Sequence, residues 1–435
     1  MKKIISLILC SVLFILPLFS LYSCSVDNSE VITLYVYNWG EYISDGSDDS
    51  LDVNQAFENW YNSTVGKDSG KRVVVNYSTF SSNEEMYAKV TSGAVNYDVI
   101  IPSDYMVQRL IADKELLELR YDNIPNMANI LDKFKGENAY YDEGNKYSAP
   151  YLYGVIGIIY NSEMVPKTEE NLGSWALMWD EDYKDKGILQ FNNSRDAFGT
   201  AMYYQGIDVN EAATDAEFEE NLNKALNDPK KGLKKQKKFV QGYVMDEIYN
   251  KMENGSAAIA SYYAGDFLTM YENNTDLRFY YPEEGTNFYV DAMCVPKCSQ
   301  NRDIAEAYIN FMLSEEAAIA NAEYTYYASP NSLVVENEDY QKYMKDISED
   351  FNAFELMYPE IEDADSEGYV KTTPYKNLSE KRLVLLNNHW EELKADIDIG
   401  IWIYVSCGII IIFLLMLWII YVIKKKRMKK LYENP

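Results

Sequence analysis

Residues 401–423 form a predominantly apolar run without a single charge, and no other feature constrains this chain more. A helix of that length crosses a hydrocarbon core of about 30 Å. Trp402, Tyr404, Trp418 and Tyr421 lie towards its ends, where amphipathic rings favour the interface. Lys424, Lys425, Lys426, Arg427, Lys429 and Lys430 follow, and such an excess of positive charge places the tail 424–435 in the cytoplasm. A buried core helix rarely runs so long without a polar face. A transmembrane helix is therefore expected. The N-terminus carries a second membrane signal: Lys2 and Lys3, an apolar stretch to Leu21, then Tyr22-Ser23-Cys24. This is the layout of an export signal, with a lipobox-like end at which Cys24 is expected to be lipidated, although Tyr22 is unusual there. Residues 25–400 are thus expected on the extracellular or periplasmic side, tethered to the cell membrane.

That exported part holds 32 basic residues against 67 acidic ones, a formal charge near −35. Nucleic acid and anionic surfaces are poor partners for such a domain, whereas cations are drawn to it. Its length, about 375 residues, exceeds what one simple core holds and suggests two lobes. Cysteine chemistry is sparse. Cys10 lies in the leader and Cys407 in the span. Cys294 and Cys298 lie four apart around Pro296, where an extended segment would hold their Cα atoms too far apart for a bond without a tight turn, so two thiols are expected. His389 is the only histidine, so His-based metal sites and Ser-His-Asp or Cys-His catalysis are not expected. No cofactor is expected.

Short apolar runs alternate with helix-like segments, as in an α/β protein. Strands are expected over 31–38, 72–78 and 97–102, with helices over 51–61, 83–92 and 106–114. Ser82 is a natural cap for the second of these helices, with Glu85 three residues on. Such alternation gives a doubly wound half whose strand ends converge on a crevice. The stretch 147–160 reads as the passage into a second lobe. A polar, Lys-rich helix is expected over 221–241, with the lysines of 230–238 as a solvated face. Strands over 257–261, 279–282 and 288–296 follow, the last two returning towards the first lobe. Residues 345–375 give no clear signal.

One theme recurs at the strand ends: aromatic rings beside a carboxylate. It opens with Tyr37-Asn38-Trp39-Gly40-Glu41-Tyr42. It returns in Pro102-Ser103-Asp104-Tyr105, in Asn193-Ser194-Arg195-Asp196, in Tyr262-Tyr263-Ala264-Gly265-Asp266, in Phe288-Tyr289-Val290-Asp291 and in Tyr326-Tyr327. Ring faces and carboxylates together suit an organic ammonium ion. With Ser174–Trp179 (S-W-x-x-x-W) and 281–285 (Y-P-x-E-G) in between, the chain from about 31 to 398 resembles the spermidine/putrescine-binding proteins of bacterial ABC importers.

The resemblance implies a two-lobed periplasmic-binding-protein fold (type II-like) that closes on its ligand. It divides the chain into a signal peptide with lipobox (1–24), lobe 1 (30–148 and 287–337), lobe 2 (149–286 and 338–399), the transmembrane helix (401–423) and the basic tail (424–435). It implies ligand contacts from Trp39, Glu41 and Tyr42, with Ser103 and Tyr105 beside them. Asp196 would meet an amine from the second lobe, Tyr263 would form an aromatic wall, Tyr289 and Asp291 would sit near the crossover, and Tyr327 on a closing loop. Asn193 stands where spermidine binders often have an acid, Gly40 where a hydroxyl is common, and Tyr263 and Tyr289 where Trp is frequent. Asp266 resembles the acid of putrescine-binding relatives, so a ligand range including putrescine is expected. A C-terminal span is not typical of the family.

The expected function is polyamine binding and delivery to permease and ATPase subunits, without turnover. Bland structural roles stand beside the functional ones: Asp291 as a turn cap, Tyr327 as hinge packing, Ser103 as a turn residue. Other readings are a binder of ferric iron through the tyrosine pairs 262/263 and 326/327, an exported hydrolase with paired carboxylates, and a membrane-tethered polyamine sensor.

Overall fold

The computed structural model describes residues 30–362, 364–366, 368–395 and 401–433. The leader with Cys10 and the Cys24 motif lies outside the described residues. Strand β1 (Glu30–Trp39) is rich in Val, Ile, Tyr and Thr, and its buried positions begin at Leu34 and run from Val36 to Asn38. It pairs in parallel with β2 (Lys71–Phe80) from Glu30↔Lys71 to Trp39↔Phe80. Between them runs the helix Val53–Ser63, capped by Asp52, which accepts from Gln55 N at 2.9 Å. The helix Asn83–Ser92 follows β2, and Ser82 accepts from Glu85 N at 3.1 Å. Glu85 reaches back to Ser81 N at 3.1 Å, one residue earlier than the simplest capping box. Strand β3 (Val99–Ile100) then lies parallel to β1 on its other side. This half matches the alternation seen in the sequence.

The remaining strands are β4 (Ser148–Asn161), β5 (Ile188–Phe191), β6 (Gly242–Val244), β7 (Ile259–Tyr263), β8 (Leu277–Tyr280) and β9 (Phe288–Cys294). The sheet order is β2-β1-β3-β9-β4-β7-β5-β6, with β8 beside β4. Strand β9 is antiparallel to both β3 and β4, so the sheet is mixed rather than simply doubly wound. The first half of β4 pairs with β9 and the second half with β7 and β8. One 14-residue strand, buried along nearly its whole length, thus belongs to two strand groups. It accommodates Pro150 at a register irregularity, where the missing N–H costs no ladder bond.

The expected long helix over 221–241 is not formed. The helix Asp215–Asn227 stops before Asp228-Pro229, where Asp228 Oδ1 accepts from Lys230 N and Lys231 N at 2.8 and 2.7 Å. A short turn, Leu233–Gln236, replaces the rest. Nor are its lysines simply solvated: Lys234 pairs with Glu392 at 2.7 Å, Lys235 pairs with Glu181, and Lys237 donates to Leu393 O. Lys234 and Lys237 dock the helix Glu380–Ala395. Cys294 and Cys298 are both thiols, Cys294 buried in β9. The featureless region 345–375 contains the short helix Ala353–Met357 and an extended return in which Thr372 pairs with Thr286.

The helix Ile401–Glu433 is continuous. Its stretch Gly408–Lys426 is long and apolar enough to cross a membrane, and none of it is buried against the rest of the protein.

Candidate functional site

The C-terminal ends of several strands open into one cleft of about 280 Å³. All twelve ligand-contact candidates from the sequence line it: Trp39, Glu41, Tyr42, Ser103, Tyr105, Asn193, Asp196, Tyr263, Asp266, Tyr289, Asp291 and Tyr327. Local structure explains why they meet. Asp104, Asp196 and Asp266 each lie in the first turn of a helix, Asp104–Ala112, Ser194–Gln205 and Ala264–Asn273. Helix N-termini favour negative charge and in α/β sheets point at the crevice. Glu41 is placed by a turn after β1 in which it adopts a left-handed backbone (φ 48°), an uncommon state for a non-glycine residue.

Three of the interior acids, those singled out in the sequence, are held differently. Asp291 is in mid-strand on β9 and does not cap a turn. Tyr42 Oη donates to its Oδ2 at 2.8 Å, while its Oδ1 is buried without a well-formed partner among the described residues. Burial raises its carboxyl to about 6, partly offset by the polar hydrogens of Ser103, Tyr42 and Trp39. Asp266 has a phenol on each oxygen, Tyr249 at 2.7 Å and Tyr327 at 2.9 Å. Burial raises it to about 7 against the pull of those two bonds. Asp196 accepts from Asn193 Nδ2 at 2.8 Å and from Tyr263 Oη at 2.9 Å, and burial raises it as well.

Asn193 uses both ends of its amide on Asp196, since its Oδ1 also accepts from Asp196 N at 2.8 Å. It caps the helix and orients the acid. Ser103 precedes its helix without a side-chain cap bond, and its Oγ accepts from Asn83 Nδ2 at 3.1 Å. Tyr105 Oη donates to Glu84 at 3.2 Å, joining the interior to an acid on the rim.

Ring faces cover the space between the carboxylates. Tyr42 meets Tyr327 edge-on at 4.7 Å, Tyr263 meets Tyr289 at 5.4 Å, and Trp39 leans on Phe80 at 4.5 Å. Two glycines allow this packing. A Cβ on Gly154 would come within 2.4 Å of the Tyr289 hydroxyl, and one on Gly265 within 2.4 Å of the Tyr327 ring. Of the tyrosines read as iron ligands, Tyr262, Tyr263 and Tyr327 line the cleft and Tyr326 does not. Tyr263 and Tyr327 donate to Asp196 and Asp266, Tyr326 turns away to Glu272, and burial pushes these phenols well above their usual range. Among the described residues no group of three or more His, Cys, Asp or Glu is placed to hold a metal.

Several lining residues carry no role in the sequence reading. Asp104 is buried beside Asp291, accepts from Tyr140 Oη, and is raised by burial to about 7. Arg195 lies over the Tyr375 ring at 4.5 Å and donates to Asn210 and to Lys376 O, both at 3.1 Å. Tyr249, Asp246, Glu84 and Glu85 line the cleft too. Asp104 and Arg195 sat inside motifs already singled out, so their acid and base were visible there. Tyr375 lies at the end of the featureless region and had no signal.

A cleft at the strand ends of a mixed α/β sheet, lined by rings and unneutralised carboxylates, defines a receptor for a small organic cation. The chain belongs to the bacterial extracellular solute-binding protein family, whose profile matches residues 95–353. Among curated relatives, the spermidine/putrescine-binding periplasmic protein of Salmonella typhimurium is 29% identical over 306 residues, covering 69% of this chain and 78% of the relative. The putrescine-binding periplasmic protein PotF of Escherichia coli is 25% identical over 316 residues, covering 70% and 79%. A solved structure from Listeria monocytogenes, provisionally named a spermidine/putrescine ABC transporter, is 30% identical with a TM-score of 0.68, covering 83% of this chain and 99% of its own.

Proposed function

We propose that this chain is the exported receptor of a polyamine importer, binding putrescine or spermidine in the aromatic cleft and handing it to permease and ATPase subunits. The observation that carries the reading is the set of three buried carboxylates, Asp196, Asp266 and Asp291, separated by tyrosine faces in one cleft. A polyamine alternates ammonium groups with methylenes. Carboxylates take the former through charge-assisted hydrogen bonds of roughly 1.5–3 kcal/mol each, and rings cover the latter. The names of the relatives point the same way.

In this reading all twelve residues contact ligand or orient those that do, and the protein turns nothing over. The two strand groups that share β4 are two lobes, lobe 1 spanning 30–148 and 287–337 and lobe 2 spanning 149–286 and 338–399. They close around the amine by bending where the chain passes between them. Lipidation at Cys24 and the helix after residue 400 hold the receptor at the cell membrane, with the exported fold outside and the basic tail inside. Calorimetric titration of the full chain in detergent with putrescine and with spermidine tests the proposal. Saturable binding of either is expected; no heat and no thermal shift with both overturns it.

A further inference from the structure

Behind the interior acids, the rim carries three exposed ones: Glu41, Glu84 and Asp246. Glu84 is engaged by Tyr105. The Asp246 side chain has no hydrogen-bond or ion-pair partner among the described residues. It lies in the turn between β6 and the helix Glu247–Glu253, on the side of the cleft that holds Asp266. Asp246 and Glu41 are the charges that act on Asp266, and Asp246 acts also on Tyr249 and Tyr262. Across from Asp246 stands Gly40. A Cβ there would meet only Asp246 Oδ2, at 4.0 Å, so the absent side chain leaves a gap in front of this carboxylate. Gly40 is not among the glycines with positive φ, so its lack of a side chain is not demanded by the backbone. The residues of the same cleft carry four buried polar atoms without well-formed partners among the described residues, Trp39 Nε1, Arg195 Nε, Tyr289 Oη and Asp291 Oδ1, so the cleft has hydrogen-bonding capacity left for a guest.

We propose that Asp246, facing the gap at Gly40, determines ligand length by receiving the additional ammonium group of a linear tetraamine whose other charges occupy the interior acids. This rests on the polyamine reading above. Of the four interior carboxylates, Asp104 is held on both oxygens by the fixed backbone N–H groups of Tyr105 and Val290 and by Tyr140 Oη. The remaining three match at most a triamine; a fourth charge at the Asp266 end leaves the interior through the Gly40 gap, and Asp246 is the open acid there. A side chain at position 40 would narrow that exit. Because Asp246 is solvent-exposed, its pairing is screened, and the expected effect is several-fold rather than a hundredfold.

The experiment is a competition between putrescine, spermidine and spermine for the full chain in detergent, in wild type, Asp246→Asn and Gly40→Val. The two variants probe charge and space separately, since Gly40→Val changes no charge. Asp246→Asn is expected to raise the ratio of the spermine to the putrescine dissociation constant by about fivefold, and Gly40→Val to raise it in the same direction. A ratio unchanged in Asp246→Asn, or one that rises there but not in Gly40→Val, overturns the proposal, the second outcome leaving only a diffuse field effect. Wild type that binds the diamine and triamine but not the tetraamine overturns it while keeping the polyamine reading. Wild type that binds no amine removes both.

Discussion

Asp291 on the cleft floor and Asp266 on its wall share a chemical type but differ in what is left of them. Tyr42 occupies one oxygen of Asp291, and the other is buried without a well-formed partner among the described residues. Both oxygens of Asp266 are occupied, by Tyr249 and by Tyr327. An ammonium group arriving at the floor completes a carboxylate, whereas one arriving at the wall must share with or displace a phenol. A buried acceptor left unmade costs about 1–3 kcal/mol, and a ligand that supplies the donor recovers that cost. The floor should therefore anchor the amine, and the wall should adjust its preference.

Removing the floor charge is the most severe test. Asp291→Asn is expected to weaken polyamine binding by about one to two powers of ten, the loss of roughly 1.5–3 kcal/mol for a charge-assisted contact. Wild-type affinity in a folded Asp291→Asn protein would reduce that residue to a structural role.

Acid reaches both regions at once. The carboxyls of Asp291 and Asp266 are raised to about 6 and about 7 in the empty cleft, while an alkylammonium ligand stays charged. Binding must then release protons below those values, so affinity is expected to fall about tenfold or more from about pH 7.5 to about pH 5.5. A flat profile measured by calorimetry across that window would show that neither acid faces the amine.

The wall is tested by competition between putrescine and spermidine. Asp266→Ala is expected to change their relative affinity by a few-fold, because this acid resembles that of putrescine binders while its oxygens are already engaged. Equal losses for both amines, or none, would remove Asp266 from the reading of length.

The smallest effect is on the empty protein. Carboxyls raised above their unfolded value near 3.8 hold more protons in the folded state, so stability is full at low pH and declines as pH rises through about 6 and 7. Thermal melts are expected to show a drop of a few degrees in the empty form over that range, reversed when amine is present. A melting temperature that rises with pH without ligand would contradict the burial of these acids.

Much of this site was legible because its residues come in local groups. Trp39, Glu41 and Tyr42 sit within four positions at the end of β1, and Asp196 and Asp266 mark helix starts directly after strands. Strand and helix periodicity place such groups at one end of a sheet without knowledge of distant contacts. Asp104 was harder to read. Its motif was visible, yet its contacts come from Tyr140 and Val290, far along the chain. Asn193, read as a ligand contact, lines the cleft, and the structure adds that both ends of its amide hold the acid three positions later. The lysines of 230–238 read as solvated because their partners, Glu181 and the helix Glu380–Ala395, are more than 50 residues away.

The sequence by itself determined the alternation that builds the strands, the helix starts that gather the acids, the ring-rich strand ends and the charge-free run of residues 401–423. These follow from local propensity and hydrophobic patterning, which act over a few residues. Only the tertiary structure decided that β4 belongs to two strand groups, that Asp291 keeps an oxygen without a well-formed partner among the described residues while Asp266 does not, and that Gly40 leaves a gap before Asp246. Each of these depends on which groups burial brings together from distant parts of the chain, and the free energy of a buried carboxylate is set by those neighbours rather than by its own residue type.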